Sequence, residues 1–589
     1  VTEALGNPDL HLVDSVEDAQ AFLRWLGERR PILAIDTETT GLDWWEPGFL
    51  RLVQFGDGAT GWALGYRDWR GVIEQALTHV RDDNHATGWW NLKFDAHALE
   101  VSDLPLPSKA RSHDGVVMHH LLESDARHGL KPVSERRYGE EAVIGDRMLK
   151  HRKAEMGWGW HDIPINEPSY WAYGALDAVL TARNLEWMWP QVQPMRAAYE
   201  REMAALWIMF GAETRGIKVD TTYAELLRDK WMSRAADMAD VLKEEGIKNP
   251  NSNKQISDCL EAAGWEPDEF TPSGGVKLDK AVLLELQRTF PGDMAERILE
   301  FRRLLKWSKA YLTPFIESGG LIHPSINVLG ARTGRMSISK PPLQQLPARG
   351  EGGKLIRSAI LPTNEGDVLY ATDYDGQELR LHAHYSGSTN MIEAFRQGVD
   401  PHSFTASLAY GVPIEEVTKE QRSPAKNTRY SALYGAGPAK IAATAGVSVE
   451  VIEGLVNAIK ERFPEEAAFA SAIEEKAKQR WADEGKPYVT TWGGRKVIGD
   501  GDKLYALINY LIQGSAADVL KDRLIALNAA GLDHHIVVPI HDEILWSFPE
   551  EDAAELAATA VEVMTMSDQF RVPLTVGCDG PLQTWGDKY

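Results

Sequence analysis

The sequence predicts a multidomain α/β protein, and three observations lead there. Its 589 residues correspond to about four domain-sized units. Strand and helix signals alternate through the first third, as in α/β layers. A long helical block follows, and strand signals return beyond residue 367.

The elements are predicted in order. PILAIDTETTGL and FLRLVQFGDG are apolar runs bounded by turn residues and are predicted as strands. Helical periodicity then runs to about Gln191. From about Tyr199 to Phe315 the pattern is helical, as in EREMAALWIMFGAET and MAERILEFRRLLKWSKAYL. An Asn, Pro and Gly-rich stretch, KNPNSN to TPSGG, interrupts it. Residues 321–350 are polar and rich in Pro and Gly. DVLYATDY is predicted as a strand running into a helix, QELRLHAHYSG. Helices dominate from about His402 to Asp483, and a second strand-rich part closes the sequence. Internal repeats and low-complexity tracts are absent from it.

Composition excludes several classes. A hydrophobic share of 43% and a charged share of 25% are globular values, not those of a disordered or fibrous chain. Two cysteines, Cys259 and Cys578, make neither a disulfide scaffold nor a Cys-rich zinc site, which fits a reducing intracellular setting. No stretch approaches the ~18 apolar residues of a membrane span. The opening VTEALGNPDLHLVD lacks the basic and apolar parts of a secretory signal. The net charge is −23, but charge is segregated. Residues 330–358 carry Arg332, Arg335, Lys340, Arg349, Lys354 and Arg357 against one acid, Glu351. Residues 419–440 carry Lys419, Arg422, Lys426, Arg429 and Lys440 against Glu420. Two readings fit: solvated loops and helix faces, or a cleft facing phosphates in an acidic body.

Two clusters of acids carry the chemistry. In AIDTETTG, Asp36 and Glu38 are two apart on a strand and so share a face. Alone, this fits equally a strand end entering a polar turn. Asp95 in NLKFD opens a helix after Asn91, and Tyr173 and Asp177 in YGALD lie four apart on one helix face. Hard carboxylate oxygens suit Mg²⁺ or Mn²⁺. Four carboxylates and a phenol meet the needs of two-metal phosphodiester hydrolysis. DTETTG, NLKFD and YGALD, in this order, resemble the three exonuclease motifs of DnaQ-like 3′→5′ proofreading domains. The resemblance implies a ribonuclease H-like fold for the first third, with Asp36, Glu38, Asp95, Tyr173 and Asp177 as its catalytic set.

The second cluster lies further on. Asp373 ends the strand DVLYATDY, and HIVVPIHDEILWSF predicts a hairpin with His541, Asp542 and Glu543 at its tip. Together Asp373 and Asp542 supply two strand-end carboxylates for two Mg²⁺ ions. Between them lies RSPAKNTRYSALYGAG, where Pro424 suits a first helical turn. On that helix Arg422, Lys426, Tyr430 and Tyr434 recur every four residues, two cations and then two aromatics. The stripe fits a triphosphate, base and sugar, or a buried helix with snorkelling cations.

These pieces resemble motifs A, B and C of family A DNA polymerases, the bacterial polymerase I class, and the resemblance spans nearly the whole chain. It implies a right-hand domain of palm, fingers and thumb with an antiparallel palm sheet. The implied boundaries are 1–195 exonuclease, 196–325 thumb, 326–400 palm, 401–500 fingers and 501–589 palm. It implies Asp373 and Asp542 as the metal-binding catalytic pair, with two Mg²⁺ per active site and Mn²⁺ as an alternative. Lys426 and Arg422 would bind the triphosphate, and Tyr430 and Tyr434 would line the nucleotide pocket. Glu378 with Tyr430 would exclude a ribose 2′-hydroxyl. Arg335, Arg349, Gln513 and His541 would contact the primer–template. The implied partners are a DNA primer–template and dNTPs, without a membrane, for a cytoplasmic monomer; replisome partners are not specified. About 30 residues precede the Asp36 strand, too few for a separate 5′-nuclease domain, and this arrangement resembles a phage replicative polymerase. DYDGQELR departs from the family's usual DYSQIELR and adds an acid, Asp375, near the metals. Arg429 stands where Asn is usual, Tyr430 where bacterial enzymes carry Phe, and Tyr505 where Arg is usual.

Overall fold

A computed structural model describes residues 3–45, 48–271, 273–290, 292–347, 350–433 and 437–589; the side chains of residues 430, 432, 433 and 444 lie outside the description. Two sheets organise the molecule. The first has six strands: β1 (Asp9–Val13), β2 (Leu33–Thr39), β3 (Leu50–Gly56), β4 (Thr60–Gly65), β5 (Thr87–Trp89) and β6 (Ser112–Asp114). Their order is β1-β4-β3-β2-β5-β6. β3 runs antiparallel to β2 and β4, and the outer pairs are parallel. The sequence predicts only β2 and β3 of these. β5 and β6 are three residues each, too short for a period-two pattern, and Gly61 and Gly65 interrupt β4.

Three helices of this region matter for function: α1 (Leu92–Glu100), α2 (Leu130–Tyr138) and α3 (Pro168–Val192). α3 starts on Pro168 with Glu167 capping Ser169, and it lies hard against the sheet. A Cβ on Gly61 would meet the Ala175 carbonyl at 2.3 Å, and one on Gly174 would meet Gln54 Nε2 at 2.3 Å. Glycine is therefore what lets α3 sit this close, and that depth fixes Asp177 over β2.

A helical block follows, with α4 (Arg196–Arg215), α5 (Thr221–Glu244) and α6 (Met294–Trp307). Its outer part has a separate apolar core of Leu242, Ile256, Leu283 and Ile298. α4 ties several parts of the chain together. Its Glu213 accepts from Lys93 and His97 of α1 and from the backbone of Ile326. One continuous apolar core runs from the first sheet past α4 to the second, through Val53, Leu185, Phe210, Leu369 and Trp546.

The second sheet contains β7 (Asp367–Tyr374), β8 (Ile536–Ile540), β9 (Glu543–Pro549) and β10 (Val576–Leu582) in the order β8-β9-β7-β10, antiparallel throughout. The antiparallel palm sheet expected from the sequence is thus present. Pro539 is tolerated because β8 is an edge strand. Helices α7 (Gln377–Ser386), α8 (Lys419–Leu433) and α9 (Leu507–Ala529) flank it. α8 begins at Lys419, so Pro424 sits inside the helix and not in its first turn as the sequence suggested. No helix among the described residues is long and apolar enough to cross a membrane.

A buried ionic hub joins three parts of the chain. Glu202 of α4 accepts from Lys521 of α9 at 2.7 and 2.9 Å and from Arg495. Lys521 also donates to the Gly334 carbonyl at 2.6 Å, and Arg495 lies 3.5 Å from Asp518. All four charged side chains are fully buried. Gly334, at φ 80°, packs against the Arg495 guanidinium, where a Cβ would fall 2.6 Å from its carbon. The hub therefore fixes the loop that carries Arg335.

Candidate catalytic centres

The first centre sits where β2, α1 and α3 meet. Asp36 and Glu38 project from one face of β2, as strand alternation dictates. Asp95 is aimed by α1, whose entry is fixed twice. Asn91 takes a left-handed φ of 75°, and Asp114 Oδ2 accepts the Leu92 N–H at 2.7 Å. Thr37 Oγ1 then donates to Asp95 Oδ1 at 2.7 Å. Tyr173 and Asp177 are one turn apart on α3. Oxygens of Asp36, Glu38 and Asp177 lie within 4.8 Å of one another, and Asp95 and Tyr173 line the same pocket. The structure thus gathers every residue assigned to this centre.

Burial, then the charge of Asp177, pushes Asp36 up to about 8. Burial and neighbouring acids raise Glu38 and Asp95 as well, and burial raises Asp177. The Asp177 charge and burial raise the Tyr173 phenol. Enclosed acids that resist ionisation so strongly call for cations. One is supplied by the chain: Lys131 of α2 bonds to Asp177 Oδ1 and stands 4.2 Å from the Tyr173 ring centre. The sequence does not point to Lys131, because nothing in its spacing ties it to the acids. The donor set, all carboxylate oxygens, fits a hard divalent cation.

The second centre lies at the end of the second sheet. Asp373 is the penultimate residue of β7 and pairs across the ladder with Glu543. β8 and β9 are joined by the two-residue turn His541-Asp542, with His541 at φ 59°. Burial, then the nearby charge of Asp542, pushes Asp373 up to about 7, and burial raises Asp542. One acid from a strand and one from a turn therefore share one site. Glu543, on the same face as Asp373, is already engaged: its carboxylate accepts from Trp585 Nε1 at 3.1 Å and Lys588 Nζ at 2.5 Å. The extra acid Asp375 accepts from Thr575 Oγ1 at 2.9 Å on the exposed side.

Arg335, His541 and Asp542 line one cleft with Gln377 and Ala516. Gln513 is half-buried on α9, one turn before Ala516 and Ala517. Glu378 pairs with Arg335 across the cleft mouth. On α8, Lys426 is half-buried, and its charge reaches His402. Arg422 makes a bidentate pair with Asp400 at 2.9 and 2.9 Å. Burial opposes that charge, yet the Arg422 and Ser403 hydrogen bonds hold the Asp400 carboxyl well below the usual range. Arg429 turns inward to Glu466 at 2.5 Å. Arg349, Tyr434 and the Tyr430 side chain fall outside the described residues.

The first basic run is less uniform than its composition suggested. Arg332 pairs with Asp500, Arg335 with Glu378 and Lys340 with Asp43, while Arg357 is buried against backbone carbonyls. Lys354 remains exposed. Three cations of this run are therefore engaged by acids and one is buried, while Lys340 and Lys354 stay exposed and Arg332 and Arg335 stay partly exposed.

The family model for DNA polymerase family A matches residues 221–587. The DNA polymerase of Mycobacterium phage D29 is 29% identical over 611 residues, covering 98% of this chain and 97% of the relative. DNA polymerase I of Chloroflexus aurantiacus is 30% identical over 525 residues, covering 83% of this chain and 54% of the relative. A solved structure, the POL domain of Pol1 from M. smegmatis in complex with DNA primer-template and dNTP, superposes with a TM-score of 0.78 at 23% identity. The match covers 98% of this chain and 99% of that one, and it shows a shared fold.

Proposed function

The chain belongs to DNA polymerase family A, and from that premise we propose a division of labour between its two carboxylate centres. The protein is a template-directed DNA polymerase. Its synthetic centre is Asp373 with Asp542, and the observation that carries this is their meeting at the end of β7 and the β8–β9 turn. They would hold Mg²⁺, which when bound activates the primer 3′-hydroxyl and neutralises the triphosphate. Lys426 presents its ammonium to the triphosphate. Arg422 joins it on releasing Asp400, the acid it now grips. Glu378, with Arg335 against it, borders the sugar, and Tyr430 and Tyr434 complete the nucleotide pocket. Arg335, Arg349, Gln513 and His541 face the primer–template. The solved relative carries primer-template and dNTP, and the same substrates are proposed here.

The other centre is proposed to remove mismatched 3′ ends. Its support is the convergence of Asp36, Glu38, Asp95, Tyr173 and Asp177 on one pocket beside a mixed six-stranded sheet, which is read as a ribonuclease H-like unit. Asp36, Glu38, Asp95 and Asp177 would hold the same class of metal, and the Tyr173 hydroxyl orients the attacking water. The exonuclease unit spans residues 1–195, the thumb 196–325, the palm 326–400 with 501–589, and the fingers 401–500. Phage relatives that match along the whole chain support a role in phage genome replication. Both centres lie on one chain, so a monomer in the host cytoplasm suffices. Primer extension with dNTPs, with Mg²⁺ or with chelator, tests the proposal. Extension only with the metal is expected; undiminished extension in chelator refutes the carboxylate pair as the synthetic centre.

A further inference from the structure

We propose that Lys131 is a resident counter-ion of the first centre, one that competes with divalent metal for Asp177 and so sets the metal concentration at which this centre loads. The proposal rests on the exonuclease reading for its consequence, but its physical content is a competition between two cations for one carboxylate.

The geometry is direct. Lys131 Nζ bonds to Asp177 Oδ1, and that carboxylate belongs to the triad of Asp36, Glu38 and Asp177 whose oxygens lie within 4.8 Å of one another. A metal held by the triad needs the Asp177 carboxylate, and the lysine already binds it. The ammonium also stands over the Tyr173 ring, 4.2 Å from its centre, a favourable place for a cation in a partly desolvated pocket. Lys131 is in the first turn of α2, and its neighbour Leu130 lines the same pocket. Its charge lowers the carboxyls of Asp36, Glu38 and Asp177 against the burial that raises them, so its influence covers the whole triad. Among the described residues, no other basic residue is a leading influence on these three acids. The side chain keeps 20% of its surface accessible, so it has a route outward when displaced.

The consequence follows from charge alone. An opposite charge within ~4–6 Å changes a carboxylate's proton affinity by roughly ten- to thousandfold, and a competing metal cation meets the same field. Loading the centre therefore means breaking the Lys131–Asp177 bond. At the second centre the lysine acts at one remove: Lys588 bonds to Glu543, and only its charge reaches Asp373, whose carboxyl it lowers. The structure thus predicts that the two centres load at different metal concentrations, the first needing more.

The test is direct Mn²⁺ titration of the full chain, followed by electron paramagnetic resonance, in an Asp373→Asn, Asp542→Asn background that silences the second centre. Lys131→Gln should bind Mn²⁺ roughly tenfold or more tightly, and Lys131→Arg should stay near the wild-type lysine. In the chain with both centres intact, the Mn²⁺ midpoint for digestion of a 3′-labelled single strand should fall by the same factor in Lys131→Gln. A thermal melt verifies that this variant is folded, and the Arg variant reports on the charge if it is not. Unchanged or weaker Mn²⁺ binding by Lys131→Gln overturns the proposal. So does a slower digestion at saturating metal with an unmoved midpoint, which would assign the lysine to the substrate phosphate. Failure of the exonuclease reading looks different: Mn²⁺ binding that Asp36→Asn abolishes, without digestion at any metal concentration.

Discussion

Replacing Glu202 by Gln keeps the shape of the buried hub and removes its central negative charge. Arg495 and Lys521, both fully buried, then share only Asp518, at 3.5 Å from Arg495. Removing one partner of a buried ion pair typically costs ~3–5 kcal/mol, because the remaining charge is uncompensated. Lys521 retains the Gly334 carbonyl and Arg495 retains Asp518, which places this case near the lower end, about 3 kcal/mol. In a unit of 150–250 residues each kcal/mol moves the midpoint by about 2–4 °C, so a shift of roughly 10 °C is expected. A chain of several domains does not melt in two states, so the midpoint of the transition that includes the second sheet is the quantity to follow, by calorimetry. The double variant Glu202→Gln, Lys521→Gln removes one charge of each sign and should recover a good part of the loss. Primer affinity should weaken too, because Lys521 holds the Gly334 carbonyl beside Arg335. A melt of Glu202→Gln within about 2 °C of wild type would refute the reasoning, since changes without a buried-charge cost fall within ~0.5 kcal/mol.

Glu543→Gln should keep primer extension within about tenfold of wild type, because Trp585 and Lys588 already engage its carboxylate; steady-state kinetics at saturating Mg²⁺ measure this. Lys426→Ala should lose ~2–4 kcal/mol of transition-state stabilisation, as for other preorganised charges on a developing anion, read as kcat/KM for dNTP. His382 adds a pH dependence. Burial lowers it to about 4, while an unfolded histidine titrates near ~6.5, so below that pH the unfolded chain binds the extra proton. Its contribution to stability is therefore complete above pH ~6.5 and is lost as pH falls toward 4. Melts of His382→Gln should show a shallower acid slope than wild type in that window.

Much of both centres was legible in the sequence because their acids sit on strands and helix turns whose periodicity is strong. Asp36 and Glu38 alternate on β2, Tyr173 and Asp177 are a helical turn apart, and the His541-Asp542 turn is flanked by two apolar runs. The short strands β5 and β6 were not legible, since three residues carry no pattern. Neither was the fate of charges that pair over long separations. Lys131 reaches Asp177 across 46 positions, and Lys521 reaches Glu202 across 319. The basic run at residues 330–358 shows the same limit: composition records charge, but Asp500, Glu378 and Asp43 decide how much of it faces outward. Glu543 read as a third acid at the hairpin tip, and only the distant Trp585 and Lys588 show that its carboxylate is already engaged.

Two separate carboxylate centres are proposed to perform opposite reactions on one primer end. The direct measurement follows a single 5′-labelled primer–template with Asp373→Asn and Asp36→Asn proteins, with and without dNTPs. The account predicts that Asp373→Asn shortens the primer and cannot lengthen it, while Asp36→Asn lengthens it and leaves mismatched ends in place. Loss of both reactions in either folded variant, or of neither, would contradict it.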